Sequence, residues 1–369
     1  MPIFCWKTVA SKKIIKAGTG KFDELDAIDC ENKTVMPGLF DLHAHISLTS
    51  AQETTTHAME RMLDGMSRMS RYTDHGVTTI RDAGSTLRIG NHIRNAIARG
   101  IIQGPRVLSC GYILAPESMA EIGRYKVMVM DIANSADELR AAARKEFACG
   151  ADFLKIYASG SMYQSINKEP KPLFRDEEVR AMVEIAKMND SYVAAHAHST
   201  SAIKQCIECG VQSIEHATFI DDEGIEMLLK CDRTYIVPTF AWMMPNGGET
   251  SSNHAVIAEY AMPKYGENMR KAYQAGVKMG FGCDLMNATY DNFFQEFKMR
   301  KELCGMKNID ILLQATKESA LIAGLAGITG EVKEGLMADL IVIDGNPDED
   351  ITAMYNNPQI VLQAGIRLR

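Results

Sequence analysis

The chain is predicted to be an α/β protein, a (β/α)₈ TIM barrel with a small β-sandwich formed by both termini. Three observations predict it. From residue 38 to about 325, short apolar, β-branched runs alternate with longer amphipathic ones. The strand-then-helix unit repeats eight times, as a parallel sheet closed on itself requires. Polar residues gather at the C-terminal ends of the predicted strands, where such barrels carry their chemistry.

The predicted strands, in order, are Leu39–His45, Val77–Ala83, Arg106–Gly111, Phe153–Ala158, Tyr192–His198, Ser213–His216, Thr234–Thr239 and Lys278–Asp284. Pro37-Gly38 is a turn signal that starts the first of them. Helical runs lie between strands at Glu53–His75, Ala136–Cys149, Asp176–Met188 and Asp221–Cys231, and beyond the eighth strand at Asn292–Cys304 and Ile309–Leu325. The rival is a doubly wound open sheet. No GxGxxG follows the first strand and no GxxxxGK[ST] occurs, which argues against dinucleotide and P-loop nucleotide binding. Outside this region, Lys12–Lys16 and Asp26–Val35 read as short strands, Gly330–Asp344 as a hairpin-like pair with an acidic, Gly-marked turn, and Val361–Leu368 as a further strand. The expected division is 1–36 for the N-terminal part of the small β unit, 37–325 for the barrel and 326–369 for its C-terminal part.

Composition narrows the function classes. The chain has 369 residues, 46% of them hydrophobic and 24% charged, as in a globular soluble protein. A net charge of −7 argues against non-specific nucleic-acid binding. No apolar run approaches the roughly 20 residues that cross a bilayer, and the apolar start is too brief for a secretory leader. Nine scattered cysteines read as reduced thiols, so a cytoplasmic location is expected. Cys206 and Cys209 form a lone CxxC in a helical run and read as packed helix residues, and the 23 methionines as adaptable core.

His43 and His45 leave the first strand on one face, because alternate residues of a strand point the same way. Two neutral imidazoles so placed are half a metal site. Further strand ends supply Lys155, His196, His198, His216 and Asp284. A lysine inside an apolar strand is costly unless its charge is removed or paired. Carbon dioxide would remove it by carbamylation, leaving a carboxylate able to bridge two divalent ions; a buried Lys–Asp or Lys–Glu pair is the other reading. His57, His75, His92 and His254 fall in helices or loops and read as ordinary partly exposed histidines.

Together these residues resemble the metal-dependent amidohydrolase superfamily. The resemblance is carried by Pro37-Gly38-x-x-Asp41-x-His43-x-His45, Lys155, His196, Ile214-Glu215-His216 and Asp284. It continues through Ala315-Thr316-x-x-x-Ala320 and Gly335-x-x-Ala338-Asp339-Leu340, so it covers nearly the whole chain. Within that superfamily the chain is similar to the branch of Xaa-Pro dipeptidases, Xaa-Arg/Lys carboxypeptidases and ochratoxin amidases. The resemblance implies two divalent metal ions, with zinc the default for such ligands. His43, His45 and Asp284 would hold the more buried ion and His196 and His216 the outer one. Carbamylated Lys155 and a hydroxide would bridge them. Asp284 would act as general base and then acid. His198 would hydrogen-bond the developing oxyanion or orient a ligand.

Two departures stand out. Relatives in this branch often carry Gly-Gly-His after strand three, whereas residues 111–125 contain no histidine. The N-terminus is also short, so either the start is truncated or the sandwich is reduced. Weak candidates for substrate contact are Arg81, Arg124, Tyr157 and Trp242, with an Arg81–Asp82 pair the alternative for Arg81. The expected activity is hydrolysis of a C–N amide bond in small dipeptide-like or N-acyl amino-acid substrates, by a homo-oligomer. Alternatives are a cyclic-amide hydrolase, a heterocycle deaminase (against which Lys155 argues) and an inactive scaffold of the same fold.

Overall fold

The computed structural model describes residues 2–6, 13–19, 30, 33–48, 58–121, 129–162, 165, 168–244, 252–285 and 287–369. Strands β1 (Pro2–Trp6) and β2 (Ile14–Thr19) form an antiparallel pair. Then come β3 (Thr34–Pro37), β4 (Leu39–Ala44), α1 (Ala58–Asp74), β5 (Val77–Asp82), α2 (Ile89–Ala98) and β6 (Arg106–Ser109). β7 (Ile113–Ala115), β8 (Met130–Ile132), α3 (Ala136–Ala148), β9 (Leu154–Tyr157), α4 (Asp176–Met188) and β10 (Val193–Ala197) follow. Next are α5 (Thr200–Cys209), β11 (Ser213–His216), α6 (Asp222–Lys230), β12 (Tyr235–Val237) and α7 (Ser252–Ala275). The chain closes with α8 (Phe294–Glu302), α9 (Asn308–Leu313), α10 (Ser319–Ile322), β13 (Leu340–Ile343), β14 (Ile360–Gln363) and β15 (Ile366–Arg367).

The central strands make two parallel sheets, ordered β4-β5-β6 and β12-β11-β10-β9-β7-β8. Strands buried on both faces explain the near-continuous apolar runs, such as Val193–Ala197 with every residue buried. Asp152 N donates to Ser109 O at 2.8 Å between the two sheets. Helix boundaries follow local chemistry. The Ser135 hydroxyl caps α3 through Glu138 N, the Asp221 carboxylate caps α6 through Gly224 N, and Gly210 ends α5 in a left-handed turn. Cys206 and Cys209 are free, buried residues of α5.

Several elements differ from the sequence expectation. The stretch after Gly111 is not simply a loop. Ile113–Ala115 and Met130–Ile132 pair with each other, and β7 also pairs with β9. Residues 278–284 form no regular strand; a bridge of Ile236 with Met279 is the one recorded there. The segment is held instead from several sides. Gly280 N donates to Ile236 O, Leu42 N to Phe281 O, and Asp284 N to His43 O. Ser319 Oγ accepts from Phe281 N and the Asp41 carboxylate from Cys283 N. Gly282 passes so close to β4 that a Cβ there would lie 2.9 Å from His43 Cβ, a contact only glycine avoids. The run predicted as one helix over Ile309–Leu325 is α9 and α10 joined by a π-helical turn at Gln314–Glu318.

The C-terminal hairpin is also placed differently. Of Gly330–Asp344 only Leu340–Ile343 is a strand, and its partners are Thr34–Pro37 and Ile360–Gln363. Val361–Leu368 is itself a hairpin, turning at Ala364 and Gly365, both left-handed. One four-stranded antiparallel sheet, β15-β14-β13-β3, thus joins segments from both ends of the chain. Ile14 packs with Ala338, Leu340 and Leu362.

Candidate metal centre

Seven polar side chains converge at the C-terminal ends of the central strands, and all but Asp284 are at most 8% exposed. β4 delivers His43, with His45 just beyond it. β9 delivers Lys155, β10 His196 with His198 beyond it, and β11 His216. Asp284 arrives from the pinned segment 278–284 with its side chain 17% exposed. His216, Ala217 and Asp284 have positive φ of 68°, 54° and 53°. Left-handed backbone at non-glycine positions is costly and is held here by the surrounding structure, a pattern typical of functional sites.

The side chains form two groups. His43, His45 and Asp284 place one nitrogen or carboxylate oxygen each within 4.8 Å of one another. Asp284 Oδ1 lies 3.6 Å from His43 Nε2 and 3.5 Å from His45 Nε2. The second group is His196, His198 and His216, with His216 Nε2 2.9 Å from His196 Nδ1. The groups adjoin, since the His43 and His216 ring centres are 4.8 Å apart. Lys155 Nζ lies 3.3 Å from His43 Nε2. Among the described residues no ion pair to Lys155 is formed, although the Glu215 and Asp284 carboxylates act on its charge.

The hydrogen bonds fix ring tautomers. His43 Nδ1 donates to the Glu215 carboxylate at 2.7 Å and His45 Nδ1 to the Gly84 carbonyl at 2.9 Å. A carboxylate and a carbonyl only accept, so both Nε2 atoms carry lone pairs facing Asp284. Gly84, with φ of +141°, is what lets that carbonyl turn toward the ring. His216 Nδ1 pairs with Thr239 Oγ1 at 2.7 Å and His198 Nδ1 with Thr218 Oγ1 at 2.8 Å.

Electrostatics favour ligation. Burial and the nearby Lys155 push His45 down to about 4 and His198 to about 3, and burial holds His43, His196 and His216 well below the ordinary range. All five rings are therefore neutral donors at pH 7. Burial lowers the Lys155 ammonium, favouring the free amine. Burial raises Asp284 to about 7. Burial alone would raise Glu215 too, but Arg81 and the His43 hydrogen bond hold it at about 2. Five neutral imidazoles, a carboxylate and a deprotonatable amine suit divalent ions of the zinc type.

The substrate candidates divide. The Tyr157 ring lies 4.7 Å from that of His196, and Trp242 lies 6.2 Å from His198 and 6.4 Å from His216. Trp242 is carried by a turn clamped from below, where the buried Glu296 carboxylate accepts from Phe240 N and Ala241 N at 2.6 and 2.9 Å. Arg81 corrects the expectation. It is fully buried beneath the centre, donating to Leu42 O, Ser213 Oγ and Glu215 Oε1, so it is unavailable to a substrate carboxylate. Nor does it pair with Asp82, whose carboxylate accepts from Ile46 N, Ser85 and Ser109. Arg124 lies outside the described residues. Glu215, the support of His43, was overlooked as a functional residue. An acid inside the apolar run Ser213–His216 is the same signal that marked Lys155. Thr218, Thr239 and the Gly84 carbonyl had no comparable signal.

The sequence pattern of the amidohydrolase family matches residues 34–365. Ochratoxinase from Aspergillus niger is 27% identical over 360 residues, spanning 89% of this chain and 73% of that protein. A Xaa-Pro dipeptidase solved with bound methionine in the active site is 29% identical, with a TM-score of 0.86 over 97% of this chain and 93% of its own. A prolidase complexed with N-methylphosphonate-L-proline is 27% identical, with a TM-score of 0.87 over 98% and 93%. These likenesses carry a TIM-barrel-like α/β fold.

Proposed function

This chain belongs to the amidohydrolase family, and on that premise we propose that it is a binuclear metal-dependent hydrolase cleaving a C–N amide bond in dipeptide-like or N-acyl amino-acid substrates. The observation that carries this reading is the pair of adjoining ligand groups with the buried Lys155 beside them. His43, His45 and Asp284 would hold one divalent ion, and His196 and His216 the other, with Lys155 as a carbamate between them. When bound, such ions lower the pKa of water and polarise the scissile carbonyl.

The chain's own residues supply the rest. Asp284, the most exposed of the group, would take a proton from the attacking water and return it to the leaving amine. His198 has Nδ1 engaged by Thr218, which leaves Nε2 as the atom to meet a developing oxyanion. Tyr157 and Trp242 flank the second group and would bound the acyl or leaving residue.

The test pairs metal analysis with a substrate panel. Protein prepared with excess zinc and then desalted should retain close to two equivalents. It should release amine from some member of a set of Xaa-Xaa dipeptides and N-acyl amino acids. Zinc near zero overturns the metal reading, and two equivalents with no amine release overturns the substrate class.

A further inference from the structure

The two ligand groups differ in the support of one ring, His43, since His45 of the first group is held by a neutral carbonyl, Gly84 O. In the first, the His43 ring is held by a charged carboxylate, Glu215, which is itself held by Arg81 Nη2 at 2.7 Å. Arg81 also reaches the main chain, where Nε donates to the carbonyl of Leu42, the residue before His43, at 2.6 Å. One guanidinium thus fixes both the ring, through Glu215, and the backbone that carries it. Arg81 and Glu215 come from strands in different sheets, β5 and β11, and both are fully buried. The guanidinium lies over the Phe153 and Tyr192 rings, at 5.5 and 6.0 Å from their centres. In the second group the supports of His216 and His198 are neutral hydroxyls, Thr239 and Thr218.

A buried ion pair is poor value as stabilisation, because the desolvation of two charges offsets their attraction. Its geometric effect is different. A carboxylate on the far nitrogen of an imidazole fixes the tautomer and raises the basicity of the nitrogen that faces the metal. A hydroxyl, which both donates and accepts, does this weakly.

The geometry points to Arg81 and Glu215 as positioning residues that make the first metal site, His43–His45–Asp284, bind its ion more tightly than the second. The inference rests on the binuclear reading above. It assigns the second site as the one that exchanges its metal.

The experiment follows zinc release from the loaded protein into a chromogenic chelator. Wild type should release two equivalents in separate phases, one fast and one slow. Glu215→Gln keeps the side-chain volume and removes the charge. It should accelerate the slow phase about 10–100-fold and leave the fast phase unchanged. Thr239→Val should do the reverse, accelerating only the fast phase. A purely structural role for the pair would move both phases together, which overturns the inference, as does a single phase in wild type. If Glu215→Gln does not fold, Arg81→Lys retains the buried charge and must still show a selective, smaller acceleration of the slow phase; its absence also overturns the inference. Wild type that loads no zinc defeats the metalloenzyme reading and the inference with it. Two equivalents with an unchanged Glu215→Gln profile defeats the inference alone.

Discussion

The ligand frame and the wall that faces it are built in contrasting ways. In the frame, His43, Lys155, His196 and His216 project from parallel strands, and strand pairing sets their spacing. Each ring also has a partner for its second nitrogen or lies against another ring. The wall is different. Trp242 stands on a short 3₁₀ turn after β12, placed by main-chain hydrogen bonds to Glu296 of α8 rather than by the sheet. The lesson is that ligand positions follow from a two-residue period, whereas wall positions depend on contacts between distant segments.

The largest test of this contrast is Lys155→Ala. If Lys155 is a bridging carbamate, its loss should cut turnover by on the order of 10³-fold, as removal of a major electrostatic stabiliser does. Added short-chain carboxylic acid should restore part of the rate by standing in for the carbamate. Steady-state rates with and without the acid measure this. A variant with full metal and full activity would remove Lys155 from the frame altogether.

How far the sequence revealed these two regions follows the same division. Seven of the eight predicted strands appear within a few residues of their expected bounds, because buried parallel strands leave apolar runs with polar ends. The eighth failed as a regular strand, yet Asp284 still reaches the first group, because main-chain bonds with Ile236, Leu42 and His43, together with the Ser319 and Asp41 side chains, hold the segment. Ile113–Ala115 was missed as a strand since three apolar residues before Pro116 carry too little pattern. Arg81 was read as a substrate contact or a partner of the adjacent Asp82, whereas its partners come from other strands. Only the buried acid of β11, itself legible, explains an arginine in the interior. The hairpin within 330–344 was misassigned because its true partners, 34–37 and 360–363, are not adjacent in sequence. The wall stayed least legible, with Arg124 and residues 245–251 outside the described segments.

Ser319→Ala probes the irregular part of the frame. The Ser319 hydroxyl accepts from Phe281 N and donates to Gln314 O, tying the 278–284 segment to the π-helical turn. Removing it leaves a buried amide without its partner, at a cost of about 1–3 kcal/mol. Thermal unfolding should show the loss. Amide exchange at Phe281 should quicken more than exchange in β10, whose amides are held by the ladder. Equal acceleration in both places would mean that segment 278–284 is no weaker than the regular strands.

Trp242→Phe is the smallest change and separates wall from frame most directly. The centre of the Trp242 ring lies beyond 6 Å from the ring centres of His198 and His216. Phenylalanine keeps an aromatic plane on the same clamped turn but shortens its reach. An interaction made equally with bound substrate and transition state changes KM and leaves kcat alone. The variant should therefore raise KM about tenfold for its best substrate, with kcat and bound zinc unchanged. A fall in kcat at constant KM would mean that Trp242 acts through His198 on the transition state, and the ring would then belong to the frame.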